Sequence, residues 1–160
     1  MATLVTAGTE ILRAHHFELP TGTGVGPHSL IQGEQHHIYT VLSIICHCSY
    51  DDVGNQNDGL TVGIKGYNAL EGGSAGSADD VFIFVHRDAA ISGRDTFVWD
   101  NKFSFNGHEP TDFAGPMDDA DKQNAIADQG SSVPQKLVVK TESGSTLWDV
   151  MVTFIDQNNA

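Results

Sequence analysis

Residues 145–155 read STLWDVMVTFI, and the alternation within them constrains the chain more than any other feature. In an extended strand side chains point alternately to opposite faces, so Thr146, Trp148, Val150, Val152 and Phe154 share one side. Asp149 and Thr153 fall on the other, mixed with Leu147, Met151 and Ile155. A helix would scatter these residues around its circumference. A strand gathers them into a core face and a second, partly apolar face, as expected where subunits pack on it.

Further short runs rich in Val, Ile, Thr, Phe and Tyr are separated by segments rich in Gly, Asp, Asn and Ser. They predict strands at 10–18, 36–49, 60–67, 80–87, 95–99, 102–105 and 135–141, besides the one at 145–155. Strands follow one another with no intervening helical periodicity. The fold class is therefore all-β, an antiparallel β-sandwich of jelly-roll-like type with seven or eight strands. Residues 1–32, with scattered threonines and the glycine-rich TGTGVGPHS at 21–29, read as an amino-terminal arm carrying a first strand. Residues 33–160 read as the sandwich domain, with a long inserted loop at 106–133. Within that loop DDADKQNAIADQ has the composition for one or two helical turns capped by Asp118 or Asp119.

With 160 residues the chain can bury a single core without metal or disulfide staples. Eight Lys and Arg against 21 Asp and Glu give a net charge of −13. Nucleic acid and anionic membranes are disfavoured as partners, because binding them starts by neutralising phosphates with basic side chains. The amino end lacks the basic segment and apolar core of a secretory signal, and no apolar run is long enough to span a bilayer. The expectation is a protein made in a cytoplasm.

The chemically richest stretch is IICHCSYDDVGNQNDG at 44–59. Cys46 and Cys48 are two apart on a strand-like run, so they share a face and His47 points away, which is poor geometry for one metal. Residues i and i+2 of an extended strand are also too far apart for a disulfide. Both thiols are expected in a core stripe with Ile38, Leu42 and Ile44. Asp51, Asp52, Asn55, Asn57 and Asp58 do not follow the spacing of a calcium loop and read as a turn before the next strand, able to hold a cation only weakly. Asp112, Asp118, Asp119 and Asp121 form a second acidic group without recognised spacing.

Eight histidines include two adjacent pairs, His15 with His16 and His36 with His37. On strands each pair splits between two faces and cannot chelate alone. No G-x-S-x-G occurs, the glycine-rich stretch lacks the lysine of a P-loop, and Glu109 with Asp112 lies in the inserted loop, unanchored for glycoside chemistry. These residues imply no enzyme, no cofactor and no metal centre.

The order G-x-x-H-x-I-Y-T-V-L-S-I-I at 33–45, L-T-V-G-I-K-G at 60–66, V-F-I-F-V at 81–85, F-V-W-D-N-K-F-S-F at 97–105 and K-L-V-V-K-T-E-S-G-S-T-L-W-D-V-M-V-T-F-I at 136–155 resembles the small β-sandwich proteins of tailed-bacteriophage virions. The likeness runs from Gly33 to Asp156 and departs from the pattern in the insertion at 106–133 and in the histidine content. It implies a structural virion protein that decorates or stabilises a capsid or tail. Its partners would be copies of itself, a trimer being the favoured closed oligomer, and a major capsid or tail protein. Leu147, Met151 and Ile155, with Phe113 and Met117 of the insertion, are then the candidate interface residues. The rival is a cupin-like or carbohydrate-binding module, with Tyr39, Tyr67, Phe97 and Trp99 as an aromatic platform.

Overall fold

The computed structural model describes residues 9–19, 27–50, 60–66, 79–87, 96–108, 134–141 and 147–158, giving residues 50 and 79–87 as backbone alone. Nine strands lie within them: β1 (Glu10–Leu19), β2 (His28–Gln32), β3 (His37–Tyr50), β4 (Leu60–Gly66), β5 (Asp79–Arg87), β6 (Thr96–Trp99), β7 (Phe103–Asn106), β8 (Lys136–Thr141) and β9 (Leu147–Asn158). Each of the eight segments expected from sequence contains a strand. The ninth, β2, arises from HSLIQ, where Leu30 and Ile31 are consecutive and both buried. A bulge in its pairing with β8, between Ser29 and Ile31, lets two neighbours face the same core and so erases the alternation that marks a strand.

One sheet has the order β1-β9-β3-β6, with β7 pairing beside β6 along the same edge of β3; the other has the order β2-β8-β4-β5. β6 pairs with Ile44–His47 and β7 with Ile38–Val41, so together they fill one lane. The result is two antiparallel sheets of four lanes each. Every connection but β4–β5 and β6–β7 passes from one sheet to the other, which is the winding of a jelly roll. Within residues 1–32, read as an arm with a first strand, β1 and β2 each form an edge strand, one in each sheet.

A single core lies between the sheets. β9 supplies Trp148, Val150, Val152 and Phe154 from alternate positions, all buried, as its sequence predicts. Facing them from the second sheet are Leu30, Leu60, Val62, Leu137 and Val139. A fully buried aliphatic or aromatic side chain stabilises by about 1.5–3 kcal/mol, so this stripe anchors the fold. The indole N–H of Trp148 is buried without a hydrogen-bond partner among the described residues.

β3 departs from its predicted parity. Cys46, Cys48 and Ile44 are buried, yet the stripe continues through Val41 and Tyr39, whereas Leu42 and Ile38 are half-buried. The pairing with β9 steps from Val41 opposite Phe154 to Ser43 opposite Thr153, leaving one extra residue in β3. That bulge inverts every side chain before it, and it corrects the expectation that Ile38 and Leu42 share the cysteine face.

Both cysteines are free and buried, and burial pushes the Cys46 thiol up to about 12. A thiol-specific disulfide reagent should titrate neither cysteine in the native protein and both after denaturation. Stoichiometric reaction of the folded protein at neutral pH would show that the core stripe opens.

Candidate functional site

The outward positions of the β1-β9-β3 sheet are those on which sequence placed a contact surface. Register aligns them in rows across the strands. Leu12 lies opposite Ile155, which lies opposite Thr40 and then Ser104. Next but one comes His16, Met151, Ile45 and Val98, and beyond it Glu18, Asp149, His47 and Thr96. Leu12 is 69% exposed, Val98 62% and Met151 41%, while Leu147, Ile155 and Ile45 are half-buried by their neighbours. Of the outward residues of β9 and β3, Asp149 alone carries a fixed charge.

Polar side chains on this face are tied to one another. Ser49 Oγ donates to Asp149 Oδ2, and His16 Nε2 lies 3.2 Å from Asp149 Oδ1. His47 Nδ1 lies 2.7 Å from Thr96 Oγ1, and the hydroxyls of Thr40 and Ser104 are 2.8 Å apart. The Ser49 hydroxyl holds the Asp149 carboxyl below its ordinary range; burial opposes this, while the bond to His16 and the charges of His16 and His47 add to it. The face therefore presents apolar side chains among paired polar groups on β3 and β9, with the exposed Glu10 and Glu18 of β1 along its edge.

Sequence reasoning placed Leu147, Met151 and Ile155 on this face and missed Leu12, Ile45 and Val98. Alternation in EILRAHHFE puts Leu12 and His16 on one side of β1, but only pairing with β9 shows which side that is. His15 and His16 split between faces as expected: His15 packs edge-on against Phe154 at 5.1 Å, and His16 points outward. The second pair is corrected. His36 precedes β3 in a turn at φ 67°, closed by His37 N–H donating to Glu34 O over 3.3 Å, so His36 and His37 do not share a strand.

The aromatic platform also requires correction. Tyr39 is 3% exposed inside the core. Phe97 and Trp99 lie opposite Cys46 and Ile44 on the inner side of β6, and pack against the core cluster. The reason is parity: inward positions of an edge strand are covered by the opposite sheet. Tyr67, Phe113 and Met117 lie outside the described residues, as do the candidate cation ligands Asp51, Asp52, Asn55, Asn57 and Asp58. So do Glu109, Asp112, Asp118, Asp119 and Asp121. Among the described residues no group of three His, Cys, Asp or Glu side chains is placed to hold a metal ion.

A second cluster was not foreseen. Asp156 lies on the inner face of β9 and is 7% exposed. Its Oδ2 accepts from Arg13 Nε of β1 at 3.0 Å, and its Oδ1 lies 2.6 Å from His37 Nδ1 of β3. Tyr39 is stacked beside His37, with its hydroxyl accepting from the Glu34 amide at 3.2 Å. Burial, and then the charge of Asp156, push the Tyr39 phenol up to about 12, so it remains protonated. The even-position rule for β9, carried one step past Phe154, would have exposed this buried carboxylate. Its partners could not be named that way.

Compared with known proteins, the chain matches no family model, no curated protein and no solved structure.

Proposed function

We propose that this chain is a structural subunit of a tailed-bacteriophage virion, decorating or stabilising a capsid or tail through the outer face of the β1-β9-β3 sheet. The observation that carries this reading is the character of that face on so acidic a chain. A copy of a protein with net charge −13 repels another copy except where carboxylates are sparse. On β9 and β3 the one outward carboxylate is Asp149, with Glu10 and Glu18 confined to the edge strand β1, and Leu12, Met151 and Val98 are exposed beside them. Strand spacing and rise give the four lanes about 600 Å². Set against a patch of equal size elsewhere on a neighbouring copy, as a closed trimer requires, this face buries roughly 1,200 Å² in total, the lower end of what specific interfaces use. The sequence pattern from Gly33 to Asp156 that resembles small virion β-sandwich proteins agrees with the same reading, in which the protein is made in the host cytoplasm and incorporated into the particle.

Light scattering of the purified protein should give a closed oligomer, a multiple of the 17.2 kDa chain, with a trimer expected. Met151→Glu should shift it toward the monomer while leaving the β-sheet spectrum unchanged. A wild-type monomer that also fails to co-sediment with phage heads or tails would overturn the proposal.

A further inference from the structure

Beside Asp156, between the edge strands β1 and β2, the sandwich opens into a cleft of about 270 Å³ whose lining includes Arg13, His15, Gln32, Glu34, Tyr39 and Phe154. We propose that this cleft binds a single saccharide ring. Its volume lies below the roughly 300–1,000 Å³ of sites that enclose drug-sized ligands, so it has room for one ring and little more.

Charge narrows the chemistry. The lining carries the cation of Arg13 and the carboxylates of Glu34 and Asp156, and Asp156 already has both oxygens engaged, by Arg13 and His37. A free anion meets no surplus of positive charge. For a metal ion, no set of three ligating side chains converges among the described residues. A neutral ligand rich in hydroxyls suits the inventory better. Arg13 spends Nε on Asp156, and its guanidinium has four further N–H donors. The Gln32 amide both donates and accepts, Glu34 accepts, and the protonated Tyr39 phenol can donate. Each sugar hydroxyl needs such a mixture of donors and acceptors.

One exposed ring completes the site. His15, held edge-on against the buried Phe154 at 5.1 Å, offers its ring to the C–H groups of a sugar, while Phe154 and Tyr39 back the lining from the core. The Asp156 clamp on Arg13 and His37, and the bond between the Glu34 amide and Tyr39, fix this lining before any ligand arrives. The site differs from the excluded aromatic platform, using the gap between two sheet edges rather than a row of exposed rings. Because it opens on the inner side of the β1-β9-β3 sheet, binding there does not depend on the proposed assembly.

The test is a titration of the isotope-labelled full chain, followed by amide and Arg13 Nε resonances, with methyl α-glucoside, methyl α-galactoside and N-acetylglucosamine. At least one should produce saturable shifts at Ile31, Gln32, Glu34 and Arg13, with a dissociation constant on the order of 1–10 mM for so small a ligand. Gln32→Ala and Glu34→Gln alter exposed side chains, so both variants should keep the wild-type melting temperature while weakening binding about five-fold or more. Three results would overturn the proposal: no saturable shift with any of the sugars, the same shifts with glycerol, or unaltered binding in both variants.

Discussion

Gly107→Ala is expected to destabilise the protein by about 3 kcal/mol or to prevent folding, the upper end of what overpacking costs. A β-carbon built on Gly107 would stand 1.9 Å from the carbonyl oxygen of Glu34. One on Gly33 would stand 2.2 Å from the oxygen of Gly107 and 2.3 Å from that of Gln135. The obstacles are backbone atoms, and hydrogen bonds hold them there: Gly33 N–H to Gln135 O at 2.9 Å, Gly107 N–H to His37 O at 2.8 Å, and Gln135 N–H to Gly107 O at 2.8 Å. Three chain segments meet at this junction, the turn between β2 and β3, the end of β7 and the approach to β8. It also closes the base of the inserted loop, since His108 forms a bridge with Pro134. Relief of the clash therefore requires moving strands of both sheets. Gly33→Ala should be comparably damaging. Gly66→Ala serves as the contrast, because its nearest obstacle is the Gln135 Cγ at 2.9 Å, part of a side chain that can turn aside. Urea midpoints measured for the three variants should separate Gly33 and Gly107 from Gly66. Equal midpoints would mean that the junction is looser than its spacing indicates.

Asp156→Ala should cost about 2–3 kcal/mol. The carboxylate side chain is 9% exposed and receives both Arg13 and His37, whose side chains are 41% and 18% exposed. Breaking a fully buried ion pair from one side costs roughly 3–5 kcal/mol, and the exposure of Arg13 reduces that here, because water can reach its guanidinium once the partner has gone. His37 has less recourse to water. Arg13→Ala should therefore be milder, about 1 kcal/mol, as Asp156 retains its bond to His37. A double-mutant cycle between Arg13 and Asp156 isolates their coupling from the contribution of His37. Denaturant unfolding in which Asp156→Ala matched wild type would show that the cluster contributes nothing net to stability.

The two contributions to this protein separate along one physical line. Alternation is a local property of an extended chain, and it was sufficient to recognise eight strands, to put Trp148, Val150, Val152 and Phe154 in the core, and to bury Cys46 and Cys48 with His47 turned away. It also placed Leu147, Met151 and Ile155 on a shared outer face. Register is not local, and what depended on it was hidden. The extra residue in β3 between Val41 and Ser43 exists only relative to β9, so Ile38 and Leu42 were assigned to the wrong face. β2 lost its alternation to a bulge against β8. Arg13, His37 and Asp156 come from three strands spread along the chain, and neither their charges nor their spacing announces that pairing places them side by side. The sequence by itself determined which residues extend and which of them seek the core; tertiary structure decided which strands became neighbours, because hydrogen-bond register selects among pairings that side-chain alternation leaves equivalent.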